Sequence, residues 1–380
     1  VPPHHPGITF ARALGQNRRM RICLNMIVKN ESAVIERCLR SVLPHIHCWA
    51  IVDTGSGDGT QALIRETLRD LPGELIERPW VDFAHNRNEA LTLAQAHGDF
   101  ALVIDADEVL EVAAGAAPPN GDAPGFMFNF LFGITRYWRI AMVRLGSDWR
   151  WEGVLHEVLV SAQLAQAQRL PGWCVRIHTD GARSQMTAAE KYSADAEVLR
   201  RALQREPGHA RYAFYYAQSL RDAGCGAEAL AAYRRRVDLV GWHEEVYYSK
   251  LQIAHLLEAA QSDPAQILSA YLDAYDFRPQ RAEAACEMAR FCRLQQRYRV
   301  ALIFARIASE LPVSEDLLFV DSSVLAWRAR DEWAVACWYC GDYTLSEQLC
   351  RQLLASAELP DCERKRVQSN LEFALRPPTA

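Results

Sequence analysis

Hydrophobic and polar positions along this chain change their period once, near residue 188. Before that point, short apolar runs of strand length alternate with segments of helical spacing. Arg21 to Val28 (RICLNMIV) is the first such run, bounded by polar residues and too short for a buried helix. Lys29-Asn30-Glu31-Ser32 supplies helix-start chemistry, Ile35, Leu39 and Val42 follow at helical spacing, and Pro44 stops the helix. A second strand, Trp49 to Val52, runs into Asp53-Thr54-Gly55-Ser56-Gly57-Asp58-Gly59-Thr60, where the glycines permit a tight turn and close approach of backbone to a ligand. The pattern then predicts a helix over 61–69, a strand near Leu75-Ile76, a helix over 87–96 and a strand over 100–104. Strand and helix alternating four times predict a parallel sheet covered by helices, with ligands at the C-terminal ends of its strands. Glu111 to Gly125 (EVAAGAAPPNGDAPG) reads as a loop; Phe126–Phe132 and Arg139–Arg144 read as strands, and His178 ends a further short one.

Beyond residue 188 strand signals vanish. Ala210 to Arg235 predicts a helix, a glycine-bearing turn and a second helix, with Ala217 and Ala229 allowing close packing and Tyr212, Tyr216 and Tyr233 filling the gaps. Echoes of the second helix follow as AEALAAY from 227, AQILSAY from 265, RVALIFA from 299 and TLSEQLC from 344, spaced 34 to 45 residues apart. That is the period of stacked helical pairs, and it resembles the tetratricopeptide pattern. Gly241-Trp242-His243-Glu244-Glu245 interrupts it, either as a solvated helix start or as a segment placing Trp242 and Glu245 toward a cleft.

The densest chemistry lies in Val103-Ile104-Asp105-Ala106-Asp107-Glu108. Alternate residues of a strand share a face, so Asp105 and Asp107 can address one ligand from the end of the sheet. Two hard oxygen donors there suit a divalent cation held against a diphosphate. Asp-x-Asp alone is weak evidence; the buried-looking strand before it and the turn at 53–60 strengthen it. A second concentration is Trp149-Arg150-Trp151-Glu152-Gly153-Val154-Leu155-His156-Glu157, which offers two candidates for proton transfer, Glu157 and His156; a purely structural His-Glu hydrogen bond is the alternative. Trp138, Trp149, Trp151 and Trp173 could offer a flat face to a ligand, although aromatic residues more often serve the core.

The segments IVKNES, VDTGSGDGT, AHNRNEAL and VIDADEVL, in this order and spacing, resemble the nucleotide-sugar domain of family-2 glycosyltransferases, most closely bacterial members that carry tetratricopeptide-like helices after it. The resemblance implies an α/β GT-A (Rossmann-like) catalytic domain followed by an all-α helical repeat domain. It implies hexosyl or N-acetylhexosaminyl transfer with inversion, from a nucleotide-sugar donor with UDP the leading nucleotide. Val28 and Asn30 would border the nucleoside and Asp53 would hydrogen-bond base or ribose. Arg87, with Asn88 beside it, would sit near the nucleotide. Asp105 would lie against the ribose or a metal-bound water, and Asp107 would be the direct ligand of Mn²⁺ or Mg²⁺. Glu157 would be the acceptor base with His156 its rival, and His178 would complete the metal site. Asn30, Asp53 and Asn88 also read as a cap, a turn residue and a first-turn residue. The family often has a longer helix after Asp-x-Asp, which this chain shortens. The acceptor expected is a protein, a peptide or a saccharide. An inactive transferase-like scaffold that binds peptides is the alternative from another class, and a nucleotidyltransferase is disfavoured because VKNES is not a glycine-rich phosphate loop.

Length and charge narrow the picture. The 380 residues suffice for two domains, expected as a mobile arm over 1–20 with His4 and His5 incidental, a catalytic unit over 21–185 and a helical unit over 186–380. A net charge of −5, from 42 basic and 47 acidic residues, gives no electrostatic case for nucleic acid. No apolar run reaches the roughly 18–20 residues that span a bilayer, and the start has no leader-like apolar core. The eleven cysteines include one Cys-x-x-Cys, Cys337 and Cys340, without a second pair for zinc; Cys23, Cys38, Cys286 and Cys292 read as small core residues. A reducing cytoplasm is the expected compartment. Leu349, Leu353 and Leu354 near the end of the repeats are expected to form a homodimer surface.

Overall fold

The computed structural model describes residues 20–182 and 186–376; the arm expected over 1–20 falls almost wholly outside them. Its first part alternates β1 (Ile22–Val28), α1 (Ile35–Val42), β2 (Cys48–Asp53), α2 (Thr60–Thr67), β3 (Gly73–Glu77), α3 (Phe83–Ala94) and β4 (Phe100–Val103). β5 (Glu108–Val112), β6 (Gly125–Phe132), β7 (Thr135–Arg144), β8 (Arg150–Glu152), β9 (Val158–Val160) and β10 (Gln168–Ile177) follow. The main sheet runs β3-β2-β1-β4-β7-β6-β10-β5, and β8 pairs with β9 as a separate small ribbon. β3, β2, β1 and β4 are parallel, while β7 is antiparallel to both β4 and β6. This is the α/β architecture expected, with the ends of β1, β2 and β4 opening on one edge. β1, β2 and β4 are buried almost throughout, because helices cover both faces, and their unbroken apolar runs are the sequence trace of that cover.

The stretch after Asp107 opens as β5, antiparallel to β10, and only the residues beyond Val112 form the loop expected from Glu111. Glu-Val-Leu-Glu-Val carries the alternation of a strand, with Glu108 and Leu110 buried on one face.

The second part is helical: α4 (Ala188–Arg205), α5 (Ala210–Asp222), α6 (Gly226–Val237), α7 (His243–Ala259), α8 (Pro264–Phe277), α9 (Ala282–Leu294), α10 (Tyr298–Glu310), α11 (Ala329–Tyr339), α12 (Tyr343–Ala355) and α13 (Asp361–Leu375). The four sequence echoes fall on α6, α8, α10 and α12, the second members of successive pairs. Leu349 and Leu353 are not a surface: they are buried, and Leu354 packs with them, in a cluster completed by Val367 and Leu371 of α13. The last helix covers the face that the leucines would otherwise expose, so they supply no argument for a dimer.

The two parts are joined by more than chain continuity. β11 (Val320–Asp321), which follows α10, pairs antiparallel with β7 of the sheet. Trp138 N–H donates to the Leu317 carbonyl at 2.8 Å, and Ser322 N–H to that of Ile134 at 2.9 Å. Glu244, at the start of α7, accepts the N–H groups of Leu317 and Leu318 at 2.8 and 2.7 Å. The segment 241–245 is divided: Gly241, Trp242 and His243 are exposed, as a solvated helix start would have them, whereas Glu244 and Glu245 are buried.

Candidate active site

One side of the cleft is built from two loops at the ends of β1 and β2, laced together by side chains. Asn30 takes a left-handed backbone (φ 56°); its N–H donates to Ser56 Oγ at 2.9 Å, and its Oδ1 accepts from Gly57 N–H at 2.9 Å. Glu31 N–H donates to Thr60 Oγ1, and Ser32 N–H to Asp58 Oδ2. Asp53 is fully buried, and its Oδ1 accepts the N–H groups of Gly55 and Ser56, both at 2.8 Å. Burial pushes the Asp53 carboxyl up, but these donors outweigh it and hold the group below its ordinary range. Its second oxygen, Oδ2, is buried without a hydrogen-bond partner. Such an atom costs free energy unless something satisfies it. Val28 ends β1, buried beside these loops.

Arg87 of α3 is the central cation. Its Nη2 donates to Asp105 Oδ1 and its Nε to Glu157 Oε1, both at 2.6 Å. One buried guanidinium thus ties the first carboxylate of Asp-x-Asp to the candidate base. Burial raises the Asp105 pKa, yet Arg87 and Arg139 outweigh it and the carboxyl stays below its usual range. Asn88 is engaged elsewhere: its Nδ2 donates to the Trp151 carbonyl and its Oδ1 accepts the Trp151 N–H, which pins β8 to α3.

Asp107 has a different environment. Among the described residues it has no ion pair, and burial, then the charges of Asp105 and Asp180, push its carboxyl up. Glu31 is driven to about 7, by burial first and then by Asp107, Asp105 and Asp58. His178 follows β10, its N–H donating to the Asp107 carbonyl at 3.2 Å. Gly181 lies against the carboxylate itself: a Cβ there would come within 3.0 Å of Asp107 Oδ2. No group of three His, Cys, Asp or Glu among the described residues converges into a metal cage. The crowded carboxylates still fit a cation, because a hard divalent ion bound through one or two carboxylates takes its remaining oxygens from phosphates and water.

The wall opposite is the loop 153–157 between β8 and β9. Glu157 points inward to Arg87, its side chain only 10% exposed, whereas His156 lies at the surface. His156 takes a left-handed backbone (φ 52°), a conformation that costs a residue with a Cβ about 1–2 kcal/mol. Its carbonyl accepts from Arg211 of α5, and its ring stacks on Tyr215. Trp149, Trp151 and Trp173 are buried in the core, and Trp138 packs beneath the Arg169 guanidinium.

Sequence reasoning passed over Glu31, Arg139, Arg211 and Asp180. Glu31 lies inside the IVKNES segment and was legible as a carboxylate next to Asn30. Asp180, which pairs with Arg37 at 2.7 Å, and Arg211 carry no local signal, because each reaches the site only through the fold.

An α/β sheet with an acidic, arginine-bridged cleft at its strand ends, continued by helical pairs, defines the class of molecule. Comparison with known sequences narrows it: residues 23–113 match the family described as Glycosyl transferase family 2. That span contains Val28, Asn30, Asp53, Arg87, Asn88, Asp105 and Asp107. A curated relative, a TPR repeat-containing protein of Synechococcus elongatus, is 32% identical over 162 residues, which are 40% of this chain and 39% of the relative. The chain thus spans about two fifths of the length of the curated relative it matches. Among solved structures, BtubC from P. vanneervenii is 14% identical with a TM-score of 0.40, over 52% of this chain and 85% of its own. A tetratricopeptide repeat protein of Parabacteroides merdae is 19% identical with a TM-score of 0.38, over 51% of this chain and 70% of its own.

Proposed function

We propose that the protein is an inverting glycosyltransferase that moves a sugar from a nucleotide-sugar, with UDP the leading nucleotide, to a hydroxyl or amide of an acceptor that is a peptide, protein or saccharide. The observation that carries this reading is the Arg87 bridge. It brings Glu157 and Asp105 onto one guanidinium, while Asp107 stays without a cationic partner among the described residues and the buried Oδ2 of Asp53 has no hydrogen-bond partner. A neutral-donor pocket would not need this arrangement; a pyrophosphate with a divalent cation does.

In this reading Asp53 Oδ2 accepts an N–H or O–H of the nucleoside, and Asn30 keeps the 53–60 loop in place. Asp107, with His178 adjacent, holds Mn²⁺ or Mg²⁺, which supplies charge stabilisation to the departing nucleoside diphosphate when bound. Glu157 takes the proton of the acceptor as it attacks the anomeric carbon, and the bond from that carbon to the diphosphate oxygen breaks in line, releasing the nucleoside diphosphate. The inward direction of Glu157, against the surface position of His156, favours Glu157 as the base. Arg87 holds that carboxylate in register with Asp105, so that donor and base share one rigid reference point. The alternative of an inactive scaffold gains nothing from these charges, since an inert domain has no use for buried, mutually repelling carboxylates.

The test is a screen of UDP-, GDP- and other nucleotide sugars for turnover with Mn²⁺, with Mg²⁺ and in EDTA. Turnover of one nucleotide class that depends on the cation and is lost in Asp107→Ala supports the reading. Turnover undiminished in EDTA defeats the metal role, and the absence of turnover and binding across the panel defeats the transferase.

A further inference from the structure

We propose that Arg211 and Tyr215 of the first helical repeat are positioning residues for the 153–157 loop and, through it, for Glu157. The proposal rests on the reading of Glu157 as acceptor base, and it assigns to the repeats a part in the chemistry beyond acceptor binding. β8 and β9 are three residues each and pair only with one another, and although Asn88 holds Trp151 at the base of the ribbon, its tip over 153–156 has little stiffness of its own. Its tip contains two left-handed residues, Gly153 (φ 116°) and His156 (φ 52°). A left-handed residue with a Cβ persists where surrounding contacts over-determine it.

Those contacts come from the helical unit. Arg211 Nε and Nη2 both donate to the His156 carbonyl, at 3.1 and 3.0 Å, a fork closed on one oxygen. The His156 ring lies flat on Tyr215, with centroids 4.0 Å apart and planes 11° apart. Leu155 is buried in a cluster with Leu199 of α4 and Tyr212 of α5. Arg211 is itself held, 3.5 Å from Glu245 of α7, whose carboxylate pairs with the fully buried Arg236 at 2.9 Å. An unbroken relay therefore runs from Arg236 through Glu245, Arg211 and the His156 backbone to Glu157, Arg87 and Asp105. The repeat unit fixes one end of Glu157's loop and the sheet unit fixes the side chain.

Two measurements on the full chain test the clamp. Amide hydrogen exchange should rise across 153–157 in Arg211→Met and in Tyr215→Ala, while β1, β2 and β4 stay protected; Tyr215→Phe, which keeps the ring, should stay close to wild type. Arg211→Met should lower kcat by about 10-fold with donor affinity within about 2-fold. In a Glu157→Gln background the same change should cost less than about 2-fold, because residues acting through one group are not additive. Unchanged exchange at 153–157 in both variants overturns the proposal whatever the turnover. So does an equal kcat loss with and without Glu157, since the effect then bypasses the base. A wild-type protein that turns over no donor counts against the transferase reading alone, and exchange still decides the clamp.

Discussion

The two walls of the cleft hold their shape by opposite means. The donor wall, 53–60, is fixed by neighbours in the same α/β layer: Asn30, Glu31 and Ser32 reach across about 26 to 29 residues to Ser56, Gly57, Asp58 and Thr60. The opposite wall, 153–157, is fixed by Arg211, 55 residues away and in another unit. A wall built from adjacent loops can stay formed whenever the sheet is folded. A wall that takes part of its support from another unit, beside the hold of Asn88 on Trp151 and of Arg87 on Glu157, is fully formed only while the helical unit is docked. The two walls therefore need not share one stability, although one arginine, Arg87, links Glu157 to Asp105.

The largest expected effect is chemical. Glu157→Gln should cut transfer by about 10²–10⁴-fold, the usual scale for loss of a general base, with donor binding retained in titrations. If His156→Ala shows that selective loss and Glu157→Gln does not, the roles exchange.

Next comes the support of that wall. Glu245→Ala leaves Arg236 buried without its carboxylate, and chemical denaturation should report a loss of about 3–5 kcal/mol. Exchange should rise at 153–157 and stay unchanged at 53–60; a uniform rise across both walls would erase the contrast.

Asn30→Ala tests the donor wall in return. It removes the acceptor for Gly57 N–H and places a poor left-handed residue at φ 56°, a combined loss of about 1–2 kcal/mol. Exchange at 53–60 should rise while 153–157 is spared.

This contrast also explains what was legible beforehand. The donor wall announces itself through Asp, Gly and Ser at fixed offsets, because its contacts are made by loops that follow successive strands. Asp53, Asp105 and Asp107 could be marked from such offsets and from the resemblance. The supports of the other wall are fainter: Glu245 stands out only because 241–245 interrupts the repeat, and Arg211 and Tyr215 sit in helices whose period records only packing. The same limit applies to β11, two residues that read as loop until they meet β7. At Glu108–Val112 the strand alternation was present but short, and the Ala/Gly/Pro-rich run after it dominated the reading. Leu349 and Leu353 carried the right signal, an apolar helix face, without saying that α13 would cover it.

The smallest effect concerns pH. Burial and neighbouring carboxylates lift Glu31 from its ordinary 4.5 to about 7 in the folded protein. A raised folded-state value means its contribution to stability is fully present below about 4.5 and is lost as pH rises through about 7. Glu31→Gln cannot ionise, so its stability relative to wild type should climb over that window, by on the order of 1 kcal/mol once partial exposure to solvent is discounted. Denaturation midpoints in EDTA at pH 5 and pH 8 read the difference; an advantage for the variant at pH 5 that disappears at pH 8 reverses the sign and rejects the cause.

The central claim is that the carboxylates at the strand ends hold a nucleotide diphosphate through a divalent cation, with Asp107 as the ligand. Calorimetric titration of the full chain with UDP-sugars and GDP-sugars, with Mn²⁺ and in EDTA, tests it most directly. The account predicts binding of one nucleotide class with Mn²⁺, at least about 10-fold weaker in EDTA and in a folded Asp107→Ala variant. Binding of equal strength with and without the cation, or by Asp107→Ala as by wild type, would contradict it.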